Sequence, residues 1–296
     1  MVRRVLSLAS GRTAVAVLTV VVLLAVLGPL LAPQNPLAPS DNTLAPPSAA
    51  HWLGTDYLGR DVFSRLLDGS RVSVLSSLEV ALTALVVGVV PGILSVYLGR
   101  TFEWITLRLT DTLVALPFLL FAVAVIALLG NGITQAMLVT GVLVSPLFYR
   151  VSRAATLAVA RSPYVEAALV CGASLGWIVR RHVWVKVLPP IAVALAQTVG
   201  TGFVIVSSLT FLGIGVQPPE PTWGGLLASD LGYLGHQPWA PVVPALLIMV
   251  TVWAANLLAD AIRDVSGEAG RALVNRRKAR TDRPATAAPA TTGGTG

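Results

Sequence analysis

Charge is scarce in this 296-residue sequence: Asp, Glu, Lys and Arg together make up 12%, against roughly 25% in a soluble domain. Such a chain lacks the polar surface needed to cover a compact particle in water. Cysteine occurs once, at Cys171, which excludes an internal disulfide. Beside Gly172 it is expected to pack as a small apolar residue. Lysine is confined to Lys186 and Lys278, followed by Val and Ala, so the chain cannot complete the G-x-x-x-x-G-K-[ST] loop that cradles ATP phosphates. His51, His182 and His236 are dispersed, without H-E-x-x-H or Cys/His ligand spacing, so no metal site is expected.

Apolar residues make up 55% of the sequence and mean hydropathy is +0.77. The formal net charge of +7 would by itself suit a nucleic-acid partner. The basic residues fall between long uncharged stretches rather than on one solvated face, so no nucleic acid is expected. An integral membrane protein embedded in a lipid bilayer follows.

A membrane helix needs about 20 mostly apolar residues. The first candidate is 13–31, in the uncharged stretch between Arg12 and Asp41. A signal peptide after Arg3 and Arg4 is the alternative, but its apolar core would be too long and no small-x-small cleavage site follows. Glu79 and Arg100 frame a second span, 80–98. The uncharged stretch from Asp111 to Arg150 is broken by Gly130-Asn131-Gly132 into spans 112–129 and 133–149. Lys186 to Glu220 holds a fifth after Pro189-Pro190, and 241–259 gives the sixth. Glu79, Asp111 and Asp260 sit only at span edges. A proton-driven transporter or an intramembrane enzyme usually carries ionisable residues in mid-membrane.

With six crossings, one side receives 18 of the 21 Lys and Arg residues, and the other only Arg60, Arg65 and Arg71. The positive-inside rule then puts both termini in the cytoplasm. It sends segments 33–72 and 216–240 outward and keeps loop 150–190 inside. The expected organisation is a cytoplasmic N-terminus (1–12), a membrane domain (13–265) and a cytoplasmic, disordered tail (266–296) with a basic start.

In the 150–190 loop, Ser162 can cap a helix with Pro163 at its first position, and Gly172 suits the left-handed residue that stops it. Ser174 can cap a second helix with Leu175, Ile178, Val179 and Val183 at helical spacing. Two short helices with an apolar face would make a compact knob or lie flat on lipid. Glu166-Ala167-Ala168, then Gly172-Ala173-Ser174, Ile178 and Arg181-His182-Val183, resemble the EAA loop of bacterial ABC importer permeases. The resemblance implies that the knob docks on an ATPase subunit and transmits nucleotide-driven movement. Trp184-Val185 stands where that family usually has proline, while Leu188-Pro189-Pro190 is kept.

Two more segments carry the resemblance to the C-type subunit of the dipeptide/oligopeptide permeases. The first is His51-Trp52-Leu53-Gly54-Thr55-Asp56-Tyr57-Leu58-Gly59-Arg60-Asp61. The second is Phe211 to Pro219, containing Gln217, Pro218 and Pro219, followed by Pro221-Thr222-Trp223-Gly224. By residue chemistry, Asp56 or Thr55 can cap a short helix and Asp61 can pair with Arg65 at i,i+4. Arg60 and Arg71 can reach headgroups or a partner. Pro218, Pro219 and Pro221 stiffen the second segment, where Trp223 and Trp239 suit either an outer gate or anchoring at the membrane boundary. Gln197, Thr198, Thr201, Ser207, Ser208 and Asn256 are pathway candidates, or else pack helix against helix.

The fold class implied is all-α: a six-helix type I ABC importer permease bundle with a cytoplasmic coupling loop, in the bacterial inner membrane. The resemblance further implies a sister B-type permease, two ABC ATPase subunits that hold ATP and Mg, an extracytoplasmic solute-binding protein and a peptide substrate. This chain would bind no cofactor and catalyse no covalent step. A nickel chelate or glutathione as solute stays open, as do an ion-gradient-driven secondary transporter and a membrane scaffold.

Overall fold

The computed structural model describes residues 2–281. The described residues form helices and turns, with one isolated bridge, Thr55 to Asp61, in place of a sheet. Five helices are long and apolar enough to cross a membrane. They are α1 (Ala9–Leu31), α2 (Val62–Leu94), α5 (Ile133–Ala160), α7 (Trp184–Phe211) and α9 (Trp239–Thr281). Two more, α3 (Arg100–Ala115) and α4 (Phe118–Leu129), make a sixth crossing only as a pair, bent by 101°. Two short helices, α6 (Pro163–Val170) and α8 (Trp223–Leu231), sit at opposite ends of the bundle.

The bend corrects the expected straight span at 112–129. Pro117 disfavours helical backbone at the residue before it, and Leu116 is extended, with φ −77° and ψ 139°. The twelve residues of α4 rise only about 18 Å, short of a hydrocarbon core of roughly 30 Å. Charged α3 is tied to α5 instead, through Arg153 with Glu103 and Arg150 with Asp111 at 3.1 Å.

The second span differs in register. Its helix starts at Val62 rather than near residue 80, and ends at Leu94. The early turns are rich in serine, and Ser64, Ser70, Ser73, Ser76 and Ser77 are all buried. They face other helices rather than lipid, so hydropathy misses them. Asp61 starts α2 by accepting from the Ser64 amide at 2.8 Å, an N-cap that satisfies a free helix donor. The last helix, α9, runs through the expected tail boundary to Thr281, which corrects that part of the disordered tail. Residues 282–296 lie outside the described residues.

Packing of α2 against α5 organises the centre. Ala84, Gly88 and Gly92 repeat at four-residue spacing along α2, the small-residue pattern that lets membrane helices approach closely. A Cβ built on Gly88 would lie 2.4 Å from the Ser145 carbonyl oxygen and 2.6 Å from Phe148 Cβ. Phe148 is fully buried there with Ile93, Val187 and Ile191. A second cluster joins Val80 to Ile126, Met137 and Leu209. A third gathers Val21, Leu66, Phe203, Trp223 and Leu226 beneath the Pro- and Trp-rich end.

Candidate functional site

At the Arg-rich end, α5 turns into α6 through Ser162. The Ser162 carbonyl accepts from the Val165 amide at 2.9 Å and the Glu166 amide at 3.2 Å. Its hydroxyl donates back to the Val159 carbonyl, so it does not cap α6 as the sequence suggested. Gly172 has φ +82°, a left-handed conformation that glycine adopts without strain. Ser174 then opens the next turn: its carbonyl accepts from the Ile178 amide at 3.0 Å and its hydroxyl from the Trp177 amide at 3.3 Å. The spacing Gly172 to Gly176 also reads G-x-S-x-G, the pattern of a hydrolase nucleophile elbow. An elbow needs a strand running into a helix, whereas this serine follows a helix and starts a helical turn.

The second helix of the knob is not a separate piece. Leu175–Ile178 runs through a π-turn, Val179–Val183, directly into α7, so the helical segment from Gly176 to Phe211 is unbroken. The π-turn ends at Trp184, where the resemblance expected proline. Val165, Ile178 and Val183 are buried in one cluster with Val89 and Ile93 of α2 and Phe148 of α5. The side chain of Leu175 is outside the described set. On the other face Glu166, Ala167 and Arg181 are exposed and Ala168 is half-buried. Ala173 packs partly on the core. His182 lies between Tyr164 and Trp177, with ring centroids 5.5 and 5.1 Å away. Cys171 is exposed, correcting the expectation that it packs, and Val170 is 90% exposed beside it.

The opposite end is a plate made from two segments distant in sequence. Gln237, 2% exposed, donates through Nε2 to the carbonyls of Ala45 at 2.7 Å and Thr55 at 3.0 Å. Trp239 Nε1 donates to the Leu53 carbonyl at 3.2 Å. Trp223 is fully buried; its amide donates to Ser73 Oγ at 3.0 Å and its indole to the Leu66 carbonyl at 3.2 Å. It is therefore no boundary anchor. Gly224 follows with the Ser207 carbonyl 2.3 Å from where a Cβ would stand.

Within the 51–61 segment the pairing differs from expectation. Asp56, not Asp61, holds the arginines: Arg60 Nε donates to Asp56 Oδ2 at 2.7 Å, and Arg65 Nε is 3.4 Å from the same oxygen. Asp61 is occupied by Ser64 and by His51 Nδ1 at 3.0 Å. Neither Asp56 nor Thr55 caps a helix. Thr55 Oγ1 accepts from the Ala45 amide at 2.9 Å. Arg60 is 5% exposed and so cannot reach headgroups, unlike exposed Arg71. Gly54 and Gly59 are buried; at Gly59, φ is +76° and the Ser40 carbonyl oxygen stands 2.0 Å from a Cβ position, so only glycine fits. Gln217, Pro218 and Pro219 are exposed on the rim.

Between α7 and α9 lies a mostly apolar groove of about 750 Å³, lined by Ser207, Ser208, Phe211, Met249, Trp253 and Asn256 among others. Two of its polar side chains bond within their own helices: Ser208 Oγ donates to the Val204 carbonyl at 2.8 Å and Asn256 Nδ2 to the Val252 carbonyl at 3.0 Å.

Residues 84–268 match the family described as the binding-protein-dependent transport system inner membrane component. The chain belongs to that family. It is 37% identical over 218 residues to the glutathione transport system permease protein GsiD of Pectobacterium atrosepticum, covering 74% of this chain and 72% of that protein. It is 35% identical over 254 residues to the probable D,D-dipeptide transport system permease protein DdpC of Escherichia coli K12, covering 86% and 85%. An inward-facing structure of the MetNI methionine ABC transporter overlaps 68% of this chain and 95% of that chain, with a TM-score of 0.55 at 19% identity. That likeness concerns the fold.

The permease thus gathers its knob and outer-segment candidates at opposite ends and divides the pathway candidates among several places. The knob residues gather at one end, and the plate residues gather at the other. Of the pathway candidates, Ser207, Ser208 and Asn256 share the groove. Gln197 lines a different pocket with Pro189 and Arg263, Thr201 is exposed, and Thr198 is 1% exposed inside the bundle. Sequence reasoning missed Asn131, whose Oδ1 accepts from the Gly215 amide at 2.7 Å and so fastens the α4–α5 turn to the end of α7. It also missed Ser73, Gln237 and Asp230. Single polar residues inside or beside apolar runs were the available signal.

Proposed function

We propose that this permease forms half of the translocation pathway of an ATP-driven importer for dipeptides or oligopeptides in the bacterial plasma membrane. A sister B-type permease supplies the other half. An extracytoplasmic binding protein delivers the peptide to the plate, and two ATPase subunits carrying ATP and Mg grip the knobs. Both termini lie in the cytoplasm, since the Arg-rich loops share that end.

The observation that carries the reading is the knob's two-sided construction. Its inner face, Val165, Ile178 and Val183, is continuous with the core around Phe148 and Ile93. Its outer face offers Glu166, Ala167 and Arg181 with exposed Tyr164, Val170 and Trp177. A partner that pulls the outer face moves a rigid body, because close-packed interiors transmit displacement. The unbroken helix from Gly176 to Phe211 carries that movement to the plate. ATP then needs only to shift a two-state equilibrium of a few kcal/mol. Peptide as the solute is supported by the name of one relative, the probable D,D-dipeptide permease protein DdpC. Glutathione, itself a small peptide-like molecule, is the second reading because a glutathione permease is among them.

The test is co-purification and uptake with Glu166→Arg and Gly172→Pro. Each variant should reach the membrane, yet lose the ATPase subunits or uncouple hydrolysis from transport. Full uptake together with unchanged ATPase association would refute the coupling role.

A further inference from the structure

Arg60 and Arg65 are each 5% exposed, and a buried guanidinium is costly unless its donors are met. The described partners meet them only in part. Asp56 Oδ2 receives both Nε atoms, at 2.7 Å and 3.4 Å, while Asp56 Oδ1 is taken by the amides of Leu58 and Arg60, both at 2.9 Å. Arg65 Nη1 reaches the carbonyls of Pro36 at 3.1 Å and Pro219 at 3.4 Å. Arg65 Nε is sealed from solvent without a well-formed hydrogen bond. Each guanidinium carries more N–H donors than these acceptors occupy.

Both arginines line a cavity of about 290 Å³ with Tyr57, Pro218, Glu220 and Ala228 among its walls. Arg60 lies 5.6 Å from the centroid of the Tyr57 ring, and Tyr57 stacks on Tyr233 at 5.4 Å, which fixes the guanidinium in place. Phe211 borders both this cavity and the groove between α7 and α9. A molecule held here would therefore stand at one mouth of that groove.

We propose that this cavity binds the carboxylate of a small zwitterionic solute through Arg60 and Arg65, with Glu220 at the rim facing the solute's ammonium group. The inference rests on the importer reading above. A carboxylate matches the planar fork of guanidinium donors, and exclusion of water strengthens the pairing. Glu220 is exposed and repels ligands that are wholly anionic, such as phosphate. The buried Asp230 carboxyl nearby, pushed up to about 6 by burial, can take a proton when a second carboxylate arrives. The volume suits one end of a peptide, with the remainder along the groove.

The test uses the complete permease–ATPase complex, purified without its binding protein, and equilibrium dialysis of radiolabelled alanyl-alanine against its C-terminal amide. The acid should bind about tenfold or more tightly than the amide, through the charge-assisted bonds the amide lacks. Arg60→Gln and Ala228→Trp should each abolish that preference; Ala228→Trp keeps every charge and decides the matter if Arg60→Gln fails to assemble. Equal binding of acid and amide, or acid binding by Ala228→Trp at the wild-type level, overturns the proposal. So does an Ala228→Trp complex that binds alanyl-alanine normally but no longer docks the binding protein, since the cavity would then take a protein's acidic side chain. The ATPase subunits in the wild-type preparation test the importer reading separately: their absence sinks that reading, and their presence leaves only the cavity in question.

Discussion

Asp230→Asn separates the electrostatics of the plate from its packing. Asp230 is 4% exposed near the end of α8, with Oδ2 lacking a partner among the described residues and Oδ1 receiving Ser229 Oγ at 3.2 Å. Burial raises its pKa from 3.8 to about 6; the Ser229 hydrogen bond lowers it, Asp56 adds to the rise, and Arg65 and Arg60 oppose it. The folded carboxyl thus holds its proton more tightly than the unfolded one. By linkage, its contribution is most favourable below pH 4, falls as pH rises from about 4 to about 6, and stays at its lowest level above that. The difference of roughly 2 pK units corresponds to about 3 kcal/mol lost at pH 7. An asparagine escapes the charge penalty but leaves an amide donor without a partner, at about 1 kcal/mol, so the net gain at pH 7 is about 2 kcal/mol. The assay is thermal melting of the intact complex in detergent at several pH values, read as variant minus wild type. The variant should melt several degrees higher at pH 7, with the advantage shrinking toward pH 4.5. An equal advantage at both pH values, or none at pH 7, refutes the reasoning.

Three further substitutions probe the fold. Gly88→Ala forces a methyl group against the Ser145 carbonyl oxygen, 2.4 Å from its Cβ position, and should destabilise the α2–α5 contact by about 1–3 kcal/mol in a detergent melt; an unchanged midpoint counts against the crossing. Trp223→Ala empties a fully buried site between Leu66 and Phe203 and should cost about 3–5 kcal/mol, seen as protease cutting within 216–240 that wild type resists. Asn131→Ala removes the bond to the Gly215 amide and should destabilise by about 1–3 kcal/mol; hydrogen exchange at Gly215 should rise while exchange in α2 stays as it was.

Much of the architecture was legible because lipid imposes one simple demand, long uncharged runs with every backbone group bonded internally. That demand located α1 and α7 closely, placed the start but not the end of α9, and gave the number of crossings once the α3–α4 pair counts as one. It said nothing of helices facing other protein. The first turns of α2, up to residue 72, read as part of an outward segment, and Ser73 and Ser77 fell outside the expected span, because contacts with α7 and α8 hide such serines from lipid. Pro117 stood in the sequence as plainly as Pro189 and Pro190, yet it breaks a helix while those two remain inside α7. The difference lies in the neighbours: proline inside a membrane helix is tolerated where surrounding helices satisfy the freed backbone groups, as at Pro189 and Pro190 and likewise at Pro29, Pro91, Pro146 and Pro244. Before Pro117, Leu116 is extended, and the charged helix ahead of it pairs with Arg150 and Arg153.

The same contrast runs through the candidate site. The knob could be read locally because Ser162, Gly172 and Ser174 act within a few residues of themselves, although the hydroxyl of Ser162 turns the wrong way for a cap. The plate could not, because its ties join residues up to 192 positions apart, as from Gln237 to Ala45, and no spacing rule reaches that far. Arg60 and Arg65 show the consequence. As a sequence, Asp61 and Arg65 invite an i,i+4 pair, but Asp61 is already committed to Ser64 as the N-cap of α2 and to His51, so Arg65 turns to Asp56. Two arginines then share one carboxylate oxygen, and their remaining donors face a cavity. A local rule lost to a cap, and the unused pairing capacity was left where the plate meets the groove.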